Sequence, residues 1–366
     1  MKYVKLKLRD FFWKSRFLLL YLQTENLITF NLKKKMKDFK HFGVKRRFFP
    51  ENNYNAFWFN LKTTRFGEGV AKELPADKAE FYDVGLGTKC VTSTLRIKNG
   101  KEVFGDSACP FCYVAANPNG EYFEDICDTW VKWMSRYNET KDEKTGIITT
   151  DKPFQIAIGS SGCPCETPMF CEFLETVYNT NVVPNYTTNG VILASWNRPE
   201  SMYYELANKI LDYTRRFVGG VAVSFGNKSL RNFAKNAVNG LIEKGDVNIN
   251  LHHIISTKES VDEFVEIWKE YGDTIAYHVL LPLMPSGRST KGIEDGVFEY
   301  LEDKIEEHNM KNVAFGAHFI KFLENSKIKT WLYPAESLSK NVLLKKDRVE
   351  ITPSSFDMNP VKIIEL

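Results

Sequence analysis

Seven cysteines, Cys90, Cys109, Cys112, Cys127, Cys163, Cys165 and Cys171, lie in the first half of a 366-residue chain, and residues 172–366 contain none. Three of them form a C-x18-C-x2-C spacing at Cys90, Cys109 and Cys112. Thiolates are soft ligands that select zinc or iron–sulfur centres. A closed zinc site or a fully protein-ligated cubane takes four ligands, so three thiols on one loop leave a metal position open for a substrate or cofactor. A disulfide framework belongs to short secreted chains. Here the length predicts free thiols in a reducing, cytoplasmic setting.

Such thiols need a scaffold, and the hydrophobic pattern supplies one. Short apolar runs near Phe81–Thr88, Phe154–Gly159, Val182–Thr188, Val218–Phe225, Val247–Ile255 and Thr274–Leu281 read as strands. Segments of helical period at about 121–137, 168–179, 200–216, 229–243 and 259–270 alternate with them. On the last, Val261, Phe264, Val265 and Trp268 recur on one face. A βαβα order predicts an α/β fold with a parallel sheet covered by helices. Six units would curl into a partial (β/α)6 barrel with chemistry at the strand C-termini. Residues 53–66 read as N-terminal strands. A C-terminal extension follows, with a helix after 293, a strand near Val313–Phe319 and short strands near Lys329–Tyr333 and Asn341–Leu344. The expected organisation is a leader over 1–48, strands over 49–80, a core barrel over 81–290 and the extension over 291–366.

With 43% hydrophobic and 26% charged residues the chain reads as globular rather than disordered or fibrous. The net charge of +3 is uneven: residues 1–48 carry +11, which leaves −8 for the remainder. This predicts a partly ordered, solvated basic arm, with nucleic-acid or anionic-surface contact, or a translation start at Met36, as alternatives. The Phe17–Leu22 run is too short for a membrane span, and Lys33–Lys35 with no small-residue cleavage site argues against a secretion signal.

Further motifs sit where strands end. The cysteine loop closes as Ala108-Cys-Pro-Phe-Cys-Tyr-Val114, with Phe111 just before the third thiol. The second strand leads into Gly159-Ser-Ser-Gly162-Cys-Pro-Cys-Glu166, whose small residues let a ligand approach the backbone. The third ends in Thr187-Thr-Asn-Gly190 and the fourth in Ser224. Asn248, Asn250 and His252 alternate along the fifth and so share a face. Arg288 follows the sixth.

In this order and placement the chain resembles the radical S-adenosylmethionine (SAM) superfamily over about residues 80–290. That family carries C-x3-C-x2-C after its first barrel strand, usually with an aromatic residue before the third cysteine. Here the first gap is 18 residues, and Val91–Ser107 reads as a looped-out insertion around Lys98-Asn-Gly-Lys101. The Gly159–Gly162 turn is similar to the family's Gly-Gly-Glu motif, although Cys163 stands where an acid is usual and Glu166 is the nearest substitute. The resemblance implies a [4Fe–4S] cluster on Cys90, Cys109 and Cys112. It implies SAM bound by Phe111, Tyr113, Gly159, Ser160, Ser161, Gly162, Thr188, Asn189, Ser224, Asn250 and Arg288. It also implies a flavodoxin- or ferredoxin-type electron donor and a substrate that is a nucleoside or other small molecule, a peptide or a nucleic acid, with His252 the candidate acid or base. Reductive cleavage of SAM would yield a 5′-deoxyadenosyl radical that abstracts hydrogen from the substrate.

Other readings compete for the same residues. Cys109 and Cys112 could form half of a zinc knuckle completed by Cys163 and Cys165, and Cys163, Cys165 and Cys171 could hold an auxiliary cluster. Cys127 and Cys171 read as small core residues, and Cys163 and Cys165 as a lining without metal. Strand histidines are commonly hydrogen-bonded core residues, which bears on His252, His253, His278 and His318. Trp130, Trp133 and Tyr137 read as helix packing. The competing function is a non-catalytic, cysteine-rich metal-binding barrel.

Overall fold

In the computed structural model the described residues are 44–46, 79, 81–98, 101–105, 108–141, 143–144, 148–153, 155–319, 322, 339–357 and 359–366. All belong to one unit, Phe39–Leu366. The strands expected at 53–66 and Lys329–Tyr333, and nearly all of the basic leader, lie outside them.

The sheet that carries the site has ten strands. In chain order they are β1 (Phe81–Gly85), β2 (Gln155–Ile158), β3 (Val183–Thr188), β4 (Gly220–Ser224), β5 (Asn248–Ile255), β6 (Tyr277–Pro282), β7 (Val313–Phe315), β8 (Ser339–Lys345), β9 (Arg348–Thr352) and β10 (Lys362–Glu365). The spatial order is β7-β6-β5-β4-β3-β2-β1-β8-β9-β10. All neighbours from β7 through β1 to β8 are parallel, and β9 and β10 add as an antiparallel meander. The six expected strands are present in sequence order. The sheet is open, so the barrel is partial.

The extension does more than sequence reasoning assigned to it. Its strand β7 prolongs the parallel run beyond β6, while β8 returns to pair along the outer edge of β1, Asn341 opposite Asp83 and Val342 opposite Val84. The period-2 pattern marks these segments as strands but carries no information about which distant edge they join.

Helices α1 (Ile126–Met134), α2 (Phe170–Asn179), α3 (Tyr204–Phe217), α4 (Arg231–Gly240), α5 (Lys258–Tyr271) and α6 (Val297–Glu307) cross between strands. Each turns an apolar stripe inward: on α3 the buried set Ala207, Ile210, Leu211, Thr214 and Phe217 recurs at spacings of three and four. These stripes meet the outward strand residues Tyr82, Val84, Ile156, Ile158, Tyr186, Val221, Val223 and Leu251 in one core. Trp130 and Trp133 are fully buried on α1, edge-on to each other, and Trp130 Nε1 donates to Thr180 Oγ1 at 2.9 Å. That is packing, as the helical spacing suggests. Thr257 opens α5 with a capping box completed by Ser260.

The opposite strand face is polar. Strand register puts Asp83, Ala157 and Asn185 in one row across β1, β2 and β3, and Ala222, Asn250 and Tyr277 in another across β4, β5 and β6. The insertion between Cys90 and Cys109 folds as a hairpin, Leu95–Lys98 against Lys101–Phe104. It leaves the sheet and returns, as a looped-out segment should.

Candidate functional site at the strand ends

The C-terminal ends of the strands gather the chemistry-bearing segments. After β1 the chain runs outward, and Cys90 N donates to Asn117 O at 2.9 Å. The Cys90 side chain is buried. Its thiol faces Glu166 Oε1 at 3.8 Å, and burial, with Cys163 and Glu166 close by, pushes it far above the usual range. Glu166 is the organiser of this corner. Its carboxylate accepts Val91 N at 2.7 Å, Thr92 N at 3.0 Å, the Thr92 hydroxyl, and Tyr122 OH at 3.4 Å. It caps the short turn at Thr92–Thr94.

Cys109 and Cys112 form a separate pair. Cys112 N donates to Cys109 O at 3.3 Å, which sets the two thiols on one turn, and both are half-buried. Asn227, just beyond β4, donates its side-chain amide to Cys109 Sγ at 3.2 Å. Burial raises the Cys109 thiol, while this hydrogen bond and the nearby Arg288 and Arg96 charges pull it down. The loop after β6 clamps the same turn. Arg288 Nε donates to Cys109 O at 2.8 Å, its main-chain N–H to Cys112 O at 3.1 Å, and Ser286 Oγ to Tyr113 O at 3.2 Å. Gly287, at φ +60°, passes so close that a Cβ there would stand 2.3 Å from Cys112 O. Arg288 thus holds the cysteine turn.

The turn after β2 is built by two glycines. Gly159 and Gly162 have φ of +134° and +136°, where L side chains are strained, and a Cβ on Gly162 would meet Lys89 O at 2.6 Å. Between them Ser160 and Ser161 are buried with hydroxyls that have no hydrogen-bond partner among the described residues. Cys163 and Cys165 follow, both buried. The Cys165 thiol donates to Thr188 Oγ1 at 3.5 Å, Cys163 Sγ lies 3.4 Å from the same oxygen, and Cys163 also reaches Asn189 Oδ1 at 3.6 Å. Asn189 links this corner to the cysteine hairpin by donating to Thr92 Oγ1 at 2.8 Å. Cys171 is buried on α2 and Cys127 half-buried on α1, as core residues.

Most of the remaining residues of the sequence-derived set reach the same end of the sheet, whereas Asn250 sits lower, opposite Ala222 and the first residue of β6, Tyr277. Phe111 lines a cavity of about 570 Å³ at the ends of β4 and β5, with Asn227, Arg231, Ser256 and Glu263. Tyr113 packs on Phe356 with ring centroids 4.5 Å apart and donates its hydroxyl to Ser160 O at 3.4 Å. Ser224 stands opposite His252 in the β4–β5 register. His252 is held neutral by burial, its imidazole lowered to about 4. Asn250 is buried, and its Oδ1 has no hydrogen-bond partner among the described residues. His253 and His278 lie on the outward face with their rings stacked and nitrogens 3.0 Å apart, under Phe264. They are core residues. His318 packs edge-on against Phe356.

The donor set for a three-cysteine cluster is not assembled in this arrangement. Among the described residues no three His, Cys, Asp or Glu side chains stand together as a metal site. Cys109 and Cys112 suit two ligands of a thiolate centre, whereas Cys90 is turned into the Glu166 corner. The turn over Gly159–Gly162 fits a ligand better, since buried hydroxyls without partners are a cost unless something satisfies them. Sequence reasoning missed Asn227, Tyr122, Ser286 and Phe356. They are ordinary polar or apolar residues on separate loops, and nothing in their spacing signals that they converge.

No family model matches the chain, and no curated protein does. Among solved structures it is similar to SuiB of Streptococcus suis bound to precursor peptide SuiA, with a TM-score of 0.48 and 13% identity over 76% of this chain and 60% of that one. SuiB bound to S-adenosylmethionine gives 0.46 and 13% over the same shares. BtrN in complex with AdoMet and 2-DOIA gives 0.26 and 10% over 77% of this chain and 75% of that chain. The chain spans about three-fifths of the length of SuiB. No helix among the described residues is long and apolar enough to cross a membrane.

Proposed function

We propose that the chain is a SAM-dependent radical enzyme working at the C-terminal mouth of its parallel sheet. One observation carries this reading: the Cys109–Cys112 turn, the Gly159–Gly162 turn, the Thr188–Asn189 corner and Ser224 come from separate segments and converge at one end of one sheet. A parallel α/β sheet places ligands there. A [4Fe–4S] cluster with SAM would supply a 5′-deoxyadenosyl radical for hydrogen abstraction, drawing its electron from a flavodoxin- or ferredoxin-type donor.

The chain's own residues have definable parts in this reading. Gly159 and Gly162 open the backbone to the methionine end of SAM, and the Ser160 and Ser161 hydroxyls bind polar groups there. Tyr113 and Phe356 cover the mouth and exclude water. Asn227 and Arg288 orient the cysteine turn, one through a sulfur and the other through a carbonyl. Burial keeps His252 neutral, which suits a hydrogen bond to a polar substrate group better than holding a proton. Three-thiolate ligation requires Cys90 to leave the Glu166 corner.

That last requirement favours a second reading, a metal-binding barrel without SAM chemistry. The two are separated by anaerobic reconstitution with iron and sulfide, then dithionite and SAM, on the full chain and on a Cys109→Ala, Cys112→Ala variant. About four irons per chain and 5′-deoxyadenosine that disappears in the variant support the enzyme. Stoichiometric zinc, or iron without deoxyadenosine, overturns it.

A further inference from the structure

The polar face beneath the mouth has more hydrogen-bonding capacity than the protein uses. Gln155 and Asn185 are fully buried there and joined, Asn185 Nδ2 donating to Gln155 Oε1 at 3.2 Å and to Ile156 O at 2.9 Å. With both amide hydrogens of Asn185 committed to acceptors, among the described residues its Oδ1 is left without a donor and Gln155 Nε2 without an acceptor. Buried polar groups are almost always satisfied, so a pair left open marks a place for something else.

Asp83 lies in the same row as Asn185, two strands away through Ala157. At the usual strand spacing that is ~10 Å between Cα atoms. The carboxylate is enclosed by protein yet retains accessible surface. No hydrogen-bond donor or cation among the described residues reaches it, and burial alone pushes its carboxyl up to about 7. The titratable group facing it is the Tyr113 phenol, above it on the cysteine loop. Above Asp83 and Ala157 on the same face come Gly85 and Gly159, over which the Ser161 and Leu343 side chains and the Thr187 carbonyl close. Ala157 is the only residue between Asp83 and Asn185 in the row, and it is small.

An enclosed carboxylate without a cation selects a positive ligand group, and a primary ammonium supplies donors only. We propose that this face binds a small polar substrate through its primary ammonium at Asp83, with Gln155 and Asn185 taking the hydroxyl or carbonyl group beside it. This names a substrate class for the proposed enzyme and rests on that reading for the word substrate. The binding itself needs neither metal nor SAM.

The test is calorimetric titration of the full chain, without cofactors, at pH 8 with ethanolamine and with ethylene glycol as the neutral molecule of similar size. Ethanolamine is expected to bind at least tenfold more tightly than ethylene glycol. Asp83→Asn, which keeps the shape, should lose tenfold or more of that affinity. Asn185→Ala should lose several-fold, and Glu172→Gln, at an exposed ion pair with Lys209, should lose nothing. Equal binding of the two probes, or unchanged ethanolamine binding by a folded Asp83→Asn chain, overturns the proposal. Should Asp83→Asn not fold, full affinity in Asn185→Ala also overturns it. Selective ethanolamine binding without any deoxyadenosine formation would instead leave this site standing and remove the radical reading.

Discussion

Glu166 Oε2 accepts the main-chain N–H of Val91 at 2.7 Å, so a carboxylate from the β2 loop fixes the residue that follows Cys90. The same carboxylate holds Thr92 and Tyr122. Charge-assisted hydrogen bonds of this kind contribute about 1.5–3 kcal/mol each. Glu166→Gln keeps the volume, replaces one acceptor by a donor and should cost about 2–4 kcal/mol in urea unfolding. Amide exchange at Val91 and Thr92 should accelerate first. An unchanged urea midpoint would show that the hairpin is held by other contacts.

Arg288→Ala removes the clamp on the cysteine turn while leaving every thiol in place. The expected loss is about 1–2 kcal/mol in stability. The more telling readout is local: faster exchange at Cys112 and Ala115, whose N–H groups close the turn, and faster alkylation of Cys109. Lysine at 288 should restore little, because one ammonium does not match the guanidinium's fixed geometry.

At Gly162 an alanine meets both a positive φ and the Lys89 carbonyl. About 1–3 kcal/mol of backbone strain is expected, with the steric clash in addition. Gly272→Ala is the comparison, since its positive φ of 41° has no atom within 4 Å of the added Cβ. The Gly162 variant should melt lower and lose SAM binding, whereas the Gly272 variant should melt somewhat lower and bind normally.

Acid and base should act on stability in opposite directions through different groups. Asp83 carries a carboxyl raised to about 7 in the folded chain, so the folded state keeps a proton that the unfolded state has released above ~4. Its contribution is therefore favourable at low pH and is lost as pH rises to about 7. His252 and His278 are lowered to about 4 and about 3, so theirs is present above ~6.5 and lost as pH falls. Melting-temperature differences between Asp83→Asn and the parent cancel the histidines. They should grow from pH 4 to about pH 7 and then stay level; a flat difference would mean that Asp83 titrates normally.

Much of this architecture was legible in the chain. Six strands and their intervening helices follow from apolar runs and helical spacing, and the hairpin between Cys90 and Cys109 from its turn-forming tip. Alternation along β5 correctly separated Asn250 and His252 from the core-facing His253. Sequence did not reveal that β8 would border β1, because a strand's own pattern does not name its neighbour. Nor did it show that Glu166 would turn toward the cysteine hairpin. Proximity in sequence put Glu166 beside the Gly159–Gly162 turn, but three donor groups at Val91 and Thr92 offered its carboxylate a better set of partners.

The pairing of β8 with β1 also sets an order of events in synthesis. The first barrel strand can gain β2 once residue 158 has emerged, yet its other edge stays open until residues 339–345 have left the ribosome. An exposed parallel edge invites mispairing, and long-range closure slows folding. A nascent chain halted before residue 339 should hold the central sheet and still bind chaperones at β1, then release them when the last strands arrive.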